Sequence, residues 1–213
     1  MCIRDSRTTV DAVTTSSTNV MMTTVAGNEY AIGYISLGSL NETVKALSID
    51  GTAATAENVA NGSYKIARPF NIAYKGSLSA VAQDFVDFIL SADGQAVIEA
   101  EGYIAVDAAA AAYAGSKPAG SVTISGSSSV TPVMEKLKEA YEAVNPDADI
   151  AVTQSDSSTG MSDAINGISD IGMASRAVKD SELAEGLTAV TIATDGIAVI
   201  VNNNNPATDM TVD

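Results

Sequence analysis

The sequence predicts an α/β fold in which a parallel-rich sheet is flanked by helices. Three observations carry this reading. From Ser121 onward, short β-like segments alternate with helical ones over brief connections, the pattern that right-handed βαβ units produce. The β-like segments are aliphatic runs such as AVTIATDGIAVIV, as expected of strands covered on both faces. Aromatic residues make up only 5% of a chain that is 46% hydrophobic, which suits aliphatic layers better than a sandwich. At 213 residues the chain can form one medium domain or parts of two, with a substantial core.

The elements follow in order. Ser16 to Asn28 reads as a helix capped by Ser16 or Ser17, with Val20, Met21, Thr24 and Val25 on one face. YAIGYISL and VKALSID are strand candidates. Thr55 to Asn61 reads as a short helix ending at Asn61-Gly62, where a left-handed residue is tolerated. SYKIARPFNIAYKG is extended, and Pro69 argues against an interior ladder position for it. Leu78, Val81, Phe85, Phe88 and Ala92 recur at spacings of three and four, which predicts an amphipathic helix over Ser79 to Leu90. A second helix follows, with Ala96, Val97 and Ala100 inward and Gly102 at its end, and then a short extended GYIAVD.

Ala108 to Gly120, AAAAAYAGSKPAG, is low in complexity and is the best linker candidate. Beyond it come SVTIS as strand, Pro132 to Asn145 as helix, ADIAVTQ as strand, Gly160 to Ile168 as helix and DIGMAS as strand. The first of these helices should bury Val133, Met134, Leu137, Ala140, Tyr141 and Val144, with Pro132 in the turn where a missing N–H is harmless. The second should bury Met161, Ala164, Ile165 and Ile168. TAVTIATDGIAVIVN closes the pattern as one or two strands.

Composition excludes several chemistries. A net charge of −15 disfavours nucleic acid, whose phosphates are met by clustered Lys and Arg. The absence of histidine removes the commonest general base and metal ligand, and with it a Ser-His-Asp triad. Asp156 and Asp163 have no metal-ligand spacing around them. The single cysteine, Cys2, forms no internal disulfide and lacks a lipoprotein cleavage context, while MCIRDS has no apolar signal core. Either the protein stays inside the cell or its true N-terminus lies elsewhere. No stretch reaches the roughly 18 to 20 apolar residues of a membrane span.

Three polar clusters follow predicted strands: SGSSS at Ser125 to Ser129, SDSSTG at Ser155 to Gly160, and ASR at Ala174 to Arg176. In a parallel sheet all three fall at one edge, outside the carboxyl ends of the strands, where ligands of such folds bind. Two of them open helices, whose free N–H groups and partial positive charge favour an anion. Serine and threonine hydroxyls add donors without charge. Two readings stand side by side: ordinary helix caps, with Arg176 as a solvated cation, or a cradle for a small oxyanion.

These residues resemble a known family, the phosphate-binding proteins of Pst-type ABC importers, with a type II periplasmic-binding-protein fold. SVTISGSSSVTPVMEKLKEAYEAVNP resembles its opening strand and helix, and SDSSTGMSDAINGISDIGMASRAVKDSEL its second site loop and following strand. GLTAVTIATDGIAVIVNNNNP resembles the approach to the interlobe crossover. NEYAIGYISLGSL, NGSYKIARPFNIAYKG and DFVDFILSADGQAVIEAEGYIAV resemble the closing half. The resemblance implies a noncatalytic protein without cofactor or metal. It would capture inorganic phosphate for an ABC transporter permease, outside the cytoplasm: extracellular, at the cell surface or periplasmic, with the signal or anchor region missing here and any membrane contact through the permease or a lipid anchor. It implies that Ser128 and Ser129 bond phosphate with Ser127 nearby, that Ser157 contributes with Ser158, Thr159 and Gly160 behind it, and that Ser175 and Arg176 stand where some members carry an acceptor aspartate. That departure leaves phosphate and other tetrahedral oxyanions open, and an interaction or adhesion module remains the alternative from another class.

The order of the segments is reversed relative to the family. Residues 1–107 resemble the C-terminal half of a binding domain and 121–213 the N-terminal half, with 108–120 as linker. The family's arginine and Ser-Gly-Thr loop match nothing in the chain. A fragment across the junction of two tandem domains explains this better than a permuted chain. A linker of about thirteen residues reaches roughly 40 Å, so 121–200 and about 62–106 are expected to dock as one near-complete lobe, the other being truncated.

Overall fold

The computed structural model describes residues 12, 13, 15 and 17–212, so that Cys2, the MCIRDS stretch and the alternative cap Ser16 lie outside the described residues. In chain order the elements are α1 (Thr18–Ala26), β1 (Ile32–Ser36), β2 (Lys45–Ala46), β3 (Ser48–Ile49), α2 (Ala56–Ala60) and β4 (Ala67–Lys75). Then come α3 (Ala80–Leu90), α4 (Ala92–Ala100), β5 (Ile104–Ala105), β6 (Gly120–Ser127), α5 (Thr131–Val144) and β7 (Ala148–Ser155). The chain ends with α6 (Ser157–Asn166), β8 (Ile171–Ala174), α7 (Asp180–Ala184), β9 (Leu187–Val201) and β10 (Asp209–Met210). They form two compact units, one of 1–68 with 196–213 and one of 69–195.

The unit of residues 69–195 is a covered sheet. β6 pairs in parallel with β7 through Ser127↔Ser155 and with β8 through Gly126↔Met173. β4 runs antiparallel to β8 over Asn71–Ala73 and lies between β8 and β9. The expectation that Pro69 keeps this segment from an interior position is thereby corrected. Pro69 precedes the residues paired with β8, so its missing N–H removes nothing from that ladder. One face of the sheet is packed by α3, α4 and α5 through Phe85, Phe88, Ile98, Val133, Leu137 and Tyr141. The other is packed by α6 through Met161 and Ala164. Side-chain alternation on β6 serves both, with Val122 and Ile124 in the larger cluster and Ser125 donating to Asp163 on α6.

The unit of 1–68 and 196–213 is smaller. β9 beyond Gly196 pairs antiparallel with β1 on one side and β2 on the other. α1, capped by Ser17, buries Met22 and Val25 against Ile35, Ala198 and Ile200. The asparagines after β9 pin its loops: Asn202 donates to the Ala26 carbonyl at 2.6 Å and Asn203 to the Glu42 carbonyl at 2.9 Å. Of the segments expected to dock together, 69–106 and 121–195 lie in the larger unit, whereas 62–68 and 196–200 belong to the smaller one.

Several side chains sit differently from their periodicity. On α4 the buried residues are Gly94, Gln95 and Ile98, whereas Ala96 and Ala100 are exposed. The reason is polar: the Gln95 amide donates to the Ile89 carbonyl at 2.8 Å and accepts from the Val106 N–H at 2.8 Å, which fixes the helix by a side chain that hydrophobic spacing ignores. Val144 and Ile168 are 38% and 69% exposed because each stands where its helix ends, Ile168 just beyond the left-handed Gly167. VKALSID yields only β2 and β3, two residues each. α6 begins at Ser157, three residues earlier than its apolar periodicity indicates, since Asp156 caps it. Among the described residues no helix is long and apolar enough to cross a membrane.

Candidate oxyanion-binding site

Parallel pairing places the ends of β6, β7 and β8 side by side, and the three polar clusters meet there. The Ser128 N–H donates to the Ser155 carbonyl at 3.1 Å, joining the first cluster to the second. Ser157 Oγ accepts from the Ser175 N–H at 3.2 Å and Ser158 Oγ from Arg176 Nη2 at 3.4 Å, joining the second to the third. All nine residues singled out from the sequence belong to this one edge of the larger unit.

Their states differ. Ser127 is buried and builds the turn: its hydroxyl accepts from the Ser129 N–H at 3.3 Å, and its carbonyl accepts from Val130 N–H and the Thr131 hydroxyl, both at 3.0 Å. Ser128 and Ser129 are half-buried, and neither hydroxyl has a hydrogen-bond partner among the described residues. The helix they precede, α5, receives no side-chain cap, its N-cap position being Val130. A run of serines that does not cap its own helix leaves donors at a positive helix end, where an anion is favoured.

α6 opens in the opposite manner. Asp156 Oδ1 accepts from the N–H groups of Ser158 at 2.8 Å and Thr159 at 3.0 Å, and Oδ2 from the Thr159 hydroxyl at 2.8 Å. The Thr159 N–H above all holds the Asp156 carboxyl below the usual range, so it stays charged. Gly160 makes close packing possible: a Cβ there would lie 2.6 Å from the Gly126 Cα and 2.7 Å from the Ser125 carbonyl oxygen. Gly126 itself has φ +137°, and a Cβ on it would meet the Met173 carbonyl oxygen at 2.3 Å. These two glycines let the first turn of α6 lie directly on the strand ends.

Arg176 is paired. Its Nη2 reaches Glu182 Oε1 at 2.7 Å and its Nη1 Glu182 Oε2 at 2.9 Å, a bidentate arrangement, while Nη1 also donates to the Ala177 carbonyl at 3.0 Å. The guanidinium in turn holds the Glu182 carboxyl below its ordinary range, against the raising effect of partial burial. Three contributors escaped sequence reasoning. Asp156 stands in the second cluster with nothing in the sequence to mark it, rather than a neighbouring serine, as the cap. Glu182 gave no signal, lying six residues from its partner. Asn71 on β4 donates to the Arg176 carbonyl at 2.8 Å and accepts from the Thr191 hydroxyl at 2.7 Å, thereby fixing the loop after β8; a lone amide inside the apolar run PFNIAY was its signal. Among the described residues, no group of three acidic, histidine or cysteine side chains is placed to hold a metal ion.

The arrangement offers neutral hydroxyl donors, one helix N-terminus without a side-chain cap, and a paired cation, which suits recognition of a small oxyanion. Residues 111–213 match a PBP superfamily domain. The chain is 56% identical over 204 residues to "Phosphate-binding protein PstS 2" of Streptococcus agalactiae, covering 95% of this chain and 69% of that protein. It is 43% identical over 201 residues to the protein of the same description from Streptococcus pneumoniae, covering 94% and 69%. A crystal structure described as a phosphate-binding protein of a phosphate ABC transporter from Streptococcus pneumoniae TIGR4 superposes with a TM-score of 0.76 at 43% identity, covering 92% of this chain and 76% of the other. On identity and coverage of this order, joined to a covered α/β sheet with serine-rich strand ends, the chain belongs to the PstS family of phosphate-binding proteins.

Proposed function

We propose that the chain is a noncatalytic binding module that captures inorganic phosphate for an ABC importer and hands it to a membrane permease outside the cytoplasm. The observation that supports this most is the pair of unpartnered, half-buried hydroxyls of Ser128 and Ser129 at the start of α5. Ser127 shapes their turn, while Ser157, Ser158, Thr159 and Gly160, with Ser175 and Arg176, form the neighbouring wall. In this reading residues 1–107 and 121–213 are halves of binding domains joined through 108–120, and the chain carries one side of a two-sided grip.

Energetics set the expected affinity. Micromolar binding needs about 8 kcal/mol. Each charge-assisted hydrogen bond contributes roughly 1.5 to 3 kcal/mol before ordering costs. Two hydroxyls, a helix end and no opposing side leave a millimolar binder. Calorimetric titration with inorganic phosphate, with sulfate as comparison, tests this. Millimolar phosphate affinity that disappears in the Ser128→Ala/Ser129→Ala double variant supports the reading. Micromolar affinity contradicts the one-sided grip, and phosphate binding unaffected by the double variant contradicts the site.

A further inference from the structure

Residues 108–119 have the composition of a flexible tether and no regular secondary structure, yet part of the stretch is fastened to the larger unit at one buried carboxylate. Asp84, on the inward face of α3, is only 6% exposed. Its Oδ2 accepts from the hydroxyls of Tyr113 at 2.5 Å and Tyr141 at 2.8 Å, and its Oδ1 from the Ser116 N–H at 2.9 Å. The Lys117 N–H also bonds it. Burial alone would raise the Asp84 pKa, but these four donors hold it below the usual value, whereas burial and the neighbouring carboxylate push the Tyr113 and Tyr141 hydroxyls up, the latter to about 12.

The surroundings repeat the same connection. The Ala92 N–H donates to the Ala111 carbonyl at 2.8 Å and the Tyr113 N–H to Asp93 at 2.7 Å, both at the start of α4. Asn145, at the end of α5, donates to the Pro118 carbonyl at 3.0 Å. The Tyr113 ring stands edge-on to Phe88 and Tyr141, with centroids 5.2 Å and 6.2 Å away. Gly115 passes so close to the pin that a Cβ would come within 2.3 Å of Asp84 Oδ1 and 2.4 Å of the Tyr113 ring, so nothing larger fits while the segment is seated.

We propose that Asp84 is a latch that locks residues 111–118 onto the helices of the larger unit, converting the join between the two family-like halves from a hinge into a fixed strap. The donors come from three separate places, α5, the Tyr113 side chain and the Ser116–Lys117 backbone, and a lone carboxylate satisfies them together. Removing it leaves buried hydroxyls and N–H groups without an acceptor, which favours the released strap.

Limited proteolysis with an elastase, which cuts beside small residues, reads the state of the strap directly. In the wild-type chain the Ala-rich segment resists cleavage despite its composition. Asp84→Ala and Gly115→Ala each raise the cleavage rate within 108–118 about tenfold or more, in proportion to the open population. A wild-type chain cut there as fast as Asp84→Ala, or an Asp84→Ala chain cut no faster than wild type, overturns the latch. Where Asp84→Ala unfolds the whole unit, Tyr113→Phe decides: it removes one donor only. The latch requires severalfold faster cleavage of the strap in that variant with unchanged amide-exchange protection of Ile124 and Leu137, and unchanged cleavage refutes it.

Discussion

The starts of α5 and α6 stand at the same sheet edge, follow parallel neighbouring strands and are both rich in serine, yet they are built for opposite ends. At α6 a carboxylate of the chain itself occupies the helix N-terminus, with Asp156 taking two N–H groups and a hydroxyl. At α5 no side chain does so, and two serine hydroxyls stand beside the opening without partners. The positive end of α6 is thus already answered, whereas that of α5 has no side-chain cap, which is what the proposed binding of an anion there requires. Similar sequence at two helix starts therefore gives a side-chain cap in one place and none in the other, the difference on which the proposed anion seat rests, and Asp156 is the residue that makes it.

The largest effect on this contrast comes from the packing that brings the two starts together. Gly160→Ala places a methyl group 2.6 Å from the Gly126 Cα. Overpacking against backbone that cannot yield should destabilise the unit by about 3 kcal/mol, measured by denaturant unfolding. Ser128→Ala with Ser129→Ala should leave stability within about 0.5 kcal/mol of wild type, as befits side chains without partners. The same pair should lose roughly tenfold or more in phosphate affinity by titration, the two hydroxyls being worth about 1.5 to 3 kcal/mol each at best.

Asp156→Ala should cost about 1 kcal/mol through loss of the cap, visible as faster amide exchange at Ser158 and Thr159. The acid dependence has a definite sign. The folded-state pKa of Asp156 is depressed, so its contribution is present above the unfolded carboxylate value of about 3.9 and is lost as the pH falls through the folded value. Asp156→Asn keeps the cap and removes that dependence. The smallest effect is expected at Glu182→Gln. Gln keeps an acceptor oxygen in this partly buried pair, so the loss of charge should cost about 1 kcal/mol, while the released Arg176 guanidinium should tighten phosphate binding by less than about tenfold.

Much of this was legible in the sequence. Aliphatic alternation located α3, α5 and β6 to β9, and the serine clusters after successive strands placed the candidate site at one edge. Polar anchoring was the part that periodicity could not carry. Gln95 turns α4 by bonding to two carbonyl or amide positions, Asn71 fixes the loop after β8, and Asp84 seats a segment whose alanines and glycines read as a tether. Asn71 and Asp84 act through partners far away in sequence and Gln95 through the Ile89 carbonyl and the Val106 N–H, so hydrophobic periodicity marks none of them. The distinction between the two serine clusters was hidden for a related reason: whether a hydroxyl caps its helix depends on the turn geometry of Ser127 and Val130, which composition does not specify.

In the proposed reading α5, not α6, presents the open anion seat. Titrating inorganic phosphate into the isotopically labelled chain while following backbone amide resonances tests it most directly. Saturable, millimolar shifts are expected, concentrated at Ser128, Ser129, Thr131 and Val133, with Ser158 and Thr159 moving less. Shifts centred on Ser158 and Thr159, or none at the start of α5 while phosphate binds, would contradict it.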